Sequence, residues 1–214
     1  MKDNVINPTI ADKSILFISS VKSLAERISD RTAIKVKMIS RIWTIGHSTR
    51  RINVFISLLD ENRIKLLADV RSWPGSKRYP QFNKEVLGKS LREHAIRYEH
   101  FPELGGRRKP KKDSRNTAWR NASFRGYADY METQKFHKGV ERLLDLAREA
   151  GSTAIMCAEV VWWRCHRSLI SDYLKARGME VTHIIDSGKT EPHPFTSAAQ
   201  IVNGRLSYES DSLL

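Results

Sequence analysis

Apolar and polar residues alternate along the chain in blocks that predict strands and helices in turn. Short apolar runs bounded by polar or turn-forming residues predict strands at Ile42–Ile45, Ile64–Val70, Ile96–Glu99, Ser152–Cys157 and Glu180–Ile185. Apolar residues at helical spacing predict helices at Thr49–Asn62, Lys84–His94, Tyr127–Thr133, Lys135–Ala150 and Arg164–Arg177. Because connections of this length join parallel strands, the pattern predicts an α/β fold: a three-layer sandwich with a mostly parallel central sheet of about five strands.

The pattern changes near residue 42. Residues 1–41 hold scattered apolar residues and no catalytic motif, so we predict an N-terminal extension, partly mobile or with one short helix. Residues 42–214 are predicted to form a single α/β domain. Within it, residues 102–123 form a long connection that carries the basic run Arg107–Lys112. Connections longer than about 15 residues in a compact domain are usually functional or disordered.

The charge and the cysteine content indicate which binding partners and which cellular compartment are expected. The net charge is +13, and the stretch from Arg71 to Arg125 holds 15 Lys or Arg against 5 Asp or Glu, a local excess of +10. Such an excess is either a solvated basic surface or a patch that attracts phosphate, carried by a nucleotide or by nucleic acid. The chain has only two cysteines, no apolar run near the ~20 residues of a membrane span, and no apolar core of a secretory signal near Met1. We therefore expect a cytoplasmic protein with free thiols and no membrane partner.

Polar residues cluster where the predicted strands end. In an open parallel sheet these ends share one edge, and ligands bind there, near the point where the strand order reverses. The first strand leads into Gly46–Ser48, whose backbone amides are candidates to bind an anion and whose His47 is a candidate proton carrier. The second strand brings Asp69 and Arg71. A buried Asp69 needs a cation such as Arg71, and a role as general base is the alternative.

The fourth predicted strand ends in the group that carries the most chemistry. It ends in Cys157, Glu159 follows two residues later, and Cys165–Arg167 opens the next helix. A thiol that faces a helix amino terminus and guanidinium groups has its thiolate stabilised, which lowers its pKa. Cys157 is therefore a candidate nucleophile, with Glu159 or His47 as the proton carrier. Plain core packing is the alternative, because free cysteines are among the most buried residues.

These cysteines also raise the question of a metal. Zinc could be held by Cys157, Cys165 and His166 with a further histidine, but the spacing matches no usual structural zinc motif. Neighbouring residues on a helix, such as Cys165 and His166, point in different directions. The sequence therefore predicts no metal and no cofactor.

Taken together, six segments in this order resemble the domain of unknown function 488 family: Thr44–Ser48, Asp69–Arg71 with Pro74, Leu104–Gly106, Phe124–Met131, Met156–Glu159 and Cys165–Arg167. The resemblance runs from about Ile42 to His193. It implies an α/β domain of bacterial and archaeal type but supplies no reaction. This sequence departs from the family pattern in the loop from Val160 to Arg164. The loop tends to be polar in the family, and here it contains Trp162 and Trp163.

The leading hypothesis is a protein that binds an anionic, phosphate-bearing ligand, related to nucleotides or nucleic acid. Arg71, Arg125 and Arg167 would hold phosphate, and Trp162, Trp163 or Tyr127 could stack on a base. The alternatives are a cysteine-dependent enzyme acting on a small anionic or sulfur-containing substrate, and a non-catalytic regulatory or scaffold module. The predicted ligand-binding residues are Gly46, Ser48, Arg71, Arg125, Tyr127, Cys165, His166 and Arg167, and the candidate catalytic residues are Cys157, Glu159, His47 and Asp69.

Overall fold

The computed structural model describes residues 41–210, and strands and helices alternate along them. The strands are β1 Arg41–Gly46, β2 Leu66–Asp69, β3 Arg97–His100, β4 Thr153–Cys157, β5 Glu180–Asp186, β6 Lys189–Pro192, β7 Gln200–Val202 and β8 Arg205–Ser207. The helices are α1 Ile52–Glu61, α2 Lys84–Glu93, α3 Ala122–Met131, α4 Gln134–Ala150 and α5 Arg167–Ala176. Single 3₁₀ turns lie at Pro80–Phe82, Pro102–Leu104 and Trp162–Arg164.

Six strands form one sheet in the order β3-β2-β4-β1-β5-β6. The first five are mutually parallel, and β6 pairs antiparallel to β5 at one edge. Strands β7 and β8 form a separate antiparallel hairpin. Strand β4 lies in the middle of the sheet, and all five of its residues are buried, which is why its sequence is apolar throughout. No helix in the described part of the chain is both long enough and apolar enough to cross a membrane.

The helices cover both faces of the sheet. On one face, α1 and α2 pack through Phe55, Leu59, Leu87 and Leu91 against sheet residues such as Met156. On the other face, helices α3, α4 and α5 build a second apolar core. Helix α4 shows why: its buried residues are Phe136, Gly139, Val140, Leu143, Leu144 and Ala147, which form one stripe at helical spacing.

This architecture confirms the predicted α/β class and the mostly parallel sheet. Each of the five predicted strands is present, whereas β6, β7 and β8 were not predicted, since each has only three or four residues. Helix α3 begins five residues before the predicted Tyr127, because Asn121 caps it and accepts hydrogen bonds from the amides of Ser123 and Phe124. Helix α5 begins at Arg167 rather than Arg164, because a 3₁₀ turn precedes it.

The predicted N-terminal extension, residues 1–41, lies outside the described residues except for Arg41, the first residue of β1. The boundary near residue 42 therefore stays a prediction.

Candidate functional site

A cleft lies at the carboxyl edge of the sheet, where β2 and β4 lie side by side. After β2 the chain runs towards α2 on one face, and after β4 it runs towards α5 on the other, so the connections diverge here. Open α/β sheets bind ligands in this kind of crevice. The cleft has a volume of about 760 Å³, and its lining includes Arg71, Ser72, Trp73, Gly75, Gly106, Arg107, Asn121, Ser123, Phe124, Cys157, Ala158, Glu159, Arg164, Cys165 and His166.

Two thiols and an imidazole meet at the buried end of this cleft. Nδ1 of His166 lies 3.7 Å from Sγ of Cys165 and 4.0 Å from Sγ of Cys157. All three atoms lie within 4.8 Å of one another. Cys157 is the last residue of β4, whereas Cys165 and His166 stand directly before α5. The strand end and the helix start thus bring together the three residues, which we call the thiol–imidazole cluster.

Backbone contacts fix the orientation of the His166 ring. Its Nε2 lies 3.1 Å from the carbonyl oxygen of Val70, which can only accept, so Nε2 carries a hydrogen and Nδ1 faces the two thiols. The loop at Gly106 packs directly on the ring, because a Cβ at this position would lie 2.8 Å from Nδ1 of His166. The ring of Tyr127 lies on another side, at a centroid distance of 5.0 Å. The imidazole is therefore held in place before any ligand arrives.

The two thiols of the cluster differ in acidity. A hydrogen bond between them stabilises the thiolate of one at the expense of the other. For Cys157 this hydrogen bond, together with burial, raises the pKa well above its usual value. For Cys165 burial raises the pKa, but the same hydrogen bond and the nearby His166 and Arg167 outweigh it, so the pKa lies well below its usual value. The sequence analysis expected the lowered pKa on Cys157, whereas the hydrogen bond between the thiols and the neighbouring His166 and Arg167 lower the pKa of Cys165 instead.

Asp69 and Arg71 form a buried ion pair beside the cleft. Nε and Nη2 of Arg71 donate to the Asp69 carboxylate at 2.9 and 2.6 Å, and Tyr98 donates its hydroxyl to the same carboxylate at 2.6 Å. Nη2 of Arg71 also donates to the carbonyl of Phe82. The pairing predicted for Asp69 is confirmed. Since the carboxylate is fully buried and already accepts several hydrogen bonds, its arrangement favours the structural role over a general base.

Both nitrogen atoms of the His47 ring also form hydrogen bonds within the protein. Its Nδ1 donates to the carbonyl of Ser48 at 2.9 Å, and its Nε2 accepts from Nη1 of Arg71 at 3.2 Å. Burial and the adjacent Arg71 charge lower the pKa of His47 to about 4. The ring is therefore neutral near pH 7, stacks on Phe82 and does not line the cleft.

The turn at Gly46–Ser48 does not offer free amides to a ligand. The amides of His47 and Ser48 donate to the carbonyls of Cys157 and Ala158 at 3.0 and 2.8 Å, which continues the pairing of β1 with β4. Gly46 has a different purpose, because a Cβ there would lie 1.9 Å from the carbonyl oxygen of Glu159. The predicted anion contact is thus replaced by close packing of two backbone segments.

Arg167 is buried rather than exposed to a ligand, with only 1% of its surface accessible. Its Nη2 donates to the carbonyls of Glu159 and Val160 at 2.5 and 3.4 Å, and its Nη1 to Oγ1 of Thr44 at 3.3 Å. It makes no ion pair with any carboxylate among the described residues. Arg167 therefore holds the loop after β4 in place from below.

Behind Arg167 runs a chain of buried hydrogen bonds. Oγ1 of Thr44 contacts Nδ1 of His183 at 2.7 Å, Nε2 of His183 contacts Nδ1 of His193 at 2.9 Å, and Nε2 of His193 contacts the Asp172 carboxylate at 3.0 Å. The carboxylate can only accept and Arg167 can only donate, so every link has a donor and an acceptor if the protons point towards Asp172. We call this series the buried polar chain. Burial, the largest cause, lowers the pKa of His183 to about 2.

Tyr127 and Arg125 on α3 do not line the cleft. The Tyr127 side chain is almost fully buried and donates its hydroxyl to the carbonyl of Leu104 at 2.8 Å, so its ring cannot stack on a ligand base. Nε of Arg125 is buried without a hydrogen-bond partner among the described residues. Of the residues predicted from sequence, the cleft brings together Arg71, Cys157, Glu159, Cys165 and His166.

The cleft also contains residues outside the set predicted to bind the ligand, although the basic run with Arg107 was expected to extend the positive surface. Trp73, Arg107 and Arg164 line it, and 81% of the Trp73 surface is exposed. Some signals were present in the sequence. Trp73 precedes Pro74-Gly75, a turn-forming pair that favours a loop over a regular place in the core. Arg107 belongs to the basic run, although its positive φ of 60° could not be foreseen.

The reason for predicting no metal does not hold in the structure. Cys165 and His166 were expected to be helical neighbours that point apart. Instead α5 begins only at Arg167, and Cys165 has an extended backbone with φ −123° and ψ 144°. This extended residue allows the Cys165 thiol and the His166 ring to face the same point.

The comparisons with known proteins identify a family whose description names no function. A model of the family described as domain of unknown function DUF488 matches residues 51–174, more than half of the chain. Searches of curated proteins and of solved structures each returned no match. The matched segment contains the Asp69–Arg71 pair and the whole thiol–imidazole cluster, whereas β1 and His47 precede it. The chain belongs to the DUF488 family.

Proposed function

We propose that the cleft binds a phosphate-bearing ligand, either a free nucleotide or the same unit within single-stranded nucleic acid, in the reducing cytoplasm that two unpaired cysteines favour. The observation that carries this proposal is a pair of exposed guanidinium groups, Arg107 and Arg164, that line the cleft. Neither makes an ion pair with a described residue, and Glu159 is the one carboxylate among the lining residues named above. Guanidinium groups without partners are well suited to bind phosphate oxygens.

The phosphate contacts fall on different arginines from those expected. Arg71 lines the cleft but is engaged by Asp69, His47 and the carbonyl of Phe82. Arg167 is buried beneath the loop after β4. Arg107 and Arg164 come from two separate connections, after the turn at Leu104 and after β4, and both line the cleft. The binding of phosphate therefore depends on these two residues.

Trp73 supplies a flat apolar surface beside the arginines. It is the most exposed large apolar side chain of the described residues. Leaving an indole in water has no structural benefit, and stacking of a nucleobase on an aromatic ring stabilises a complex by about 1–3 kcal/mol. Cationic groups beside an aromatic surface fit a ligand that carries both phosphate and a base, which favours nucleotides over inorganic anions.

The basic run contributes less than its sequence suggests. Lys111 pairs with Glu132 at 2.8 Å, and the Arg108 guanidinium lies over the Tyr130 ring at 3.9 Å. Lys109 and Lys112 are exposed and extend the positive surface near Arg107. The electrostatic surface is therefore a short extension of the cleft, suited to a few nucleotides.

Fluorescence anisotropy with a labelled single-stranded oligothymidylate of roughly eight nucleotides tests this proposal. The double variant Arg107→Gln/Arg164→Gln is expected to bind at least about tenfold more weakly, and the slope of log affinity against log salt should decrease by about 1.4, since each phosphate contact on a single strand contributes about 0.7. The matched control is Lys65→Gln/Arg92→Gln, which removes the same charge at the opposite edge of the sheet.

If both double variants lose the same affinity, the cleft is not the binding site and the proposal is wrong. Competition with a nucleoside triphosphate separates the two sources of phosphate. If the nucleoside triphosphate displaces the oligonucleotide, a free nucleotide is sufficient as the ligand. If it does not displace the oligonucleotide, the ligand is single-stranded nucleic acid.

A second candidate function is a cysteine-dependent enzyme for a small anionic or sulfur-containing substrate. It is favoured by the position of Cys157 and Cys165, which line the same cleft as the arginines. Alkylation in the presence of a chelator tests it. The rate with anionic iodoacetate, relative to that with neutral iodoacetamide, should decrease in Arg107→Gln/Arg164→Gln, because those charges attract the anion. An unchanged ratio, or thiols that resist both reagents, contradicts this candidate.

A further inference from the structure

The thiol–imidazole cluster has the dimensions of a metal site. In tetrahedral coordination, with metal–sulfur bonds of about 2.3 Å and metal–nitrogen bonds of about 2.0–2.1 Å, a sulfur and a nitrogen ligand lie about 3.6 Å apart. The observed separations between Nδ1 of His166 and the two sulfur atoms are 3.7 and 4.0 Å. Two sulfur ligands of such an ion lie about 3.8 Å apart, and the two Sγ atoms here lie within 4.8 Å of each other. Movements of no more than about 1 Å would therefore bring all three atoms to bonding distance of one ion.

The surroundings hold the ligand atoms in that arrangement. The hydrogen bond from Nε2 of His166 to the carbonyl of Val70 leaves Nδ1 free to bind, and metal-ligating histidines usually have such a partner. Cys157 is fixed by the buried strand β4. Cys165 is fixed on both sides, since its amide donates to the carbonyl of Trp162 and its own carbonyl accepts from Ser168. The three ligands are thus preorganised, which reduces the entropy lost on binding.

The geometry points to a site for a divalent ion of the zinc class, and we propose that Cys157, Cys165 and His166 bind it at the end of the cleft. Two thiolates and one imidazole are ligands that zinc and cobalt prefer, whereas magnesium and calcium prefer oxygen. The inference does not need the proposed phosphate binding, because it depends on these three residues alone.

The site has three protein ligands and an open side. All three residues line the cleft, so a fourth position faces the space where a ligand would enter. Closed four-ligand sites are structural, whereas three protein ligands with an open position are typical of catalytic zinc. Two thiolates neutralise a divalent ion, and the buried Arg167 adds a positive charge nearby without a described carboxylate partner. An anion, such as hydroxide or a ligand oxygen, is therefore the expected fourth group.

Cobalt and zinc loading of the reduced, full-length protein tests the site. One equivalent of Co²⁺ should produce a thiolate-to-cobalt charge-transfer band and intense visible bands of a tetrahedral site, and Zn²⁺ should displace it. In Cys157→Ser, Cys165→Ser and His166→Asn, zinc affinity should decrease by more than about a hundredfold, beyond the effect of losing an outer-shell partner. His94→Asn, which changes an exposed histidine at the end of α2, should bind as the unchanged protein does.

A second measurement covers the case in which the variants fail to fold. In the unchanged protein, zinc should protect both thiols from alkylation, and a chelator should restore their reactivity. Absence of a charge-transfer band, together with thiols that react equally with and without zinc, overturns the proposal.

Discussion

Two groups of polar side chains lie beneath the same edge of the sheet, and they differ in whether they are closed off from solvent. The buried polar chain runs from Arg167 through Thr44, His183 and His193 to Asp172, with a partner at each link. The thiol–imidazole cluster ends in Nδ1 of His166, which faces two weakly hydrogen-bonding sulfur atoms. The first group is closed off from solvent, and the second opens into the cleft.

This difference indicates which group is structural and which is functional. A buried polar group is stable when its partners are inside the protein, and each link of the buried polar chain has one, although Nε of Arg167 has none among the described residues. A preorganised group that lacks a partner and faces solvent is arranged for something that arrives from outside. Both groups contain histidines and both meet Arg167, so residue type alone would not separate them. Their connection suggests that the buried polar chain positions Arg167, and through it the loop that carries Glu159.

The largest expected effect follows from breaking the buried polar chain at Asp172. This carboxylate is fully buried and accepts hydrogen bonds from His193, from the amide and hydroxyl of Thr196, and from the hydroxyl of Tyr208. Asp172→Asn places an amide group against these donors, so the free energy of unfolding should decrease by about 3 kcal/mol or more. Urea denaturation measures the change.

Asp60→Asn is the matched control for Asp172→Asn. Asp60 lies on the exposed side of α1, and its substitution should change the free energy of unfolding by less than about 0.5 kcal/mol. If the two variants are equally stable, the chain does not contribute as a closed unit and the comparison between the two groups fails.

The next effect concerns the thiol–imidazole cluster, and it is an increase in stability rather than a decrease. A ligand that binds the folded chain at a concentration of 100 times its dissociation constant stabilises it by about 2.7 kcal/mol. We therefore expect zinc to raise the urea midpoint of the reduced protein and to leave that of Cys165→Ser unchanged. If zinc stabilises the unchanged protein and Cys165→Ser equally, the ion binds elsewhere, and the distinction between an open and a closed group is wrong.

The third effect is a loss of stability in acid that arises from the closed group. Because burial lowers the pKa of His183 to about 2, the unfolded chain binds a proton near pH 6.5 that the folded chain does not. The stabilisation is complete above about pH 6.5 and is lost as the pH falls towards the folded-state pKa. Between pH 7.5 and pH 5 the titration of this group should lower the free energy of unfolding by about 2 kcal/mol.

Denaturation across this pH range in His183→Gln is the check. The variant is less stable at pH 7.5, but its slope of stability against pH should be smaller by one proton, or about 1.4 kcal/mol per pH unit below pH 6. His94→Gln, which removes an exposed histidine, should keep the original slope. An unchanged slope in His183→Gln would mean that this ring is not the buried neutral group.

The two groups also differ in how far the sequence could predict them. Period-two and helical patterns located the strands, and the rule for parallel sheets brought Cys157, Glu159 and Arg71 to one edge. The direction of Cys165 depended on a 3₁₀ turn that shifts the start of α5 by three residues, and no periodicity reveals such a turn. The same holds for His47, whose amide continues a strand pairing with β4 that is remote in sequence.

The smallest expected effect on stability is at Trp73, in the open region. Trp73→Ala removes a side chain that is 81% exposed, so the free energy of unfolding should change by no more than about 0.5 kcal/mol. Binding of the oligothymidylate should weaken by about 1–3 kcal/mol, if the indole stacks on a base. Trp163→Ala is the control: Trp163 is 54% exposed but does not line the cleft. Loss of affinity in Trp163→Ala and not in Trp73→Ala would move the stacking surface to the loop after β4, where the sequence had first placed it.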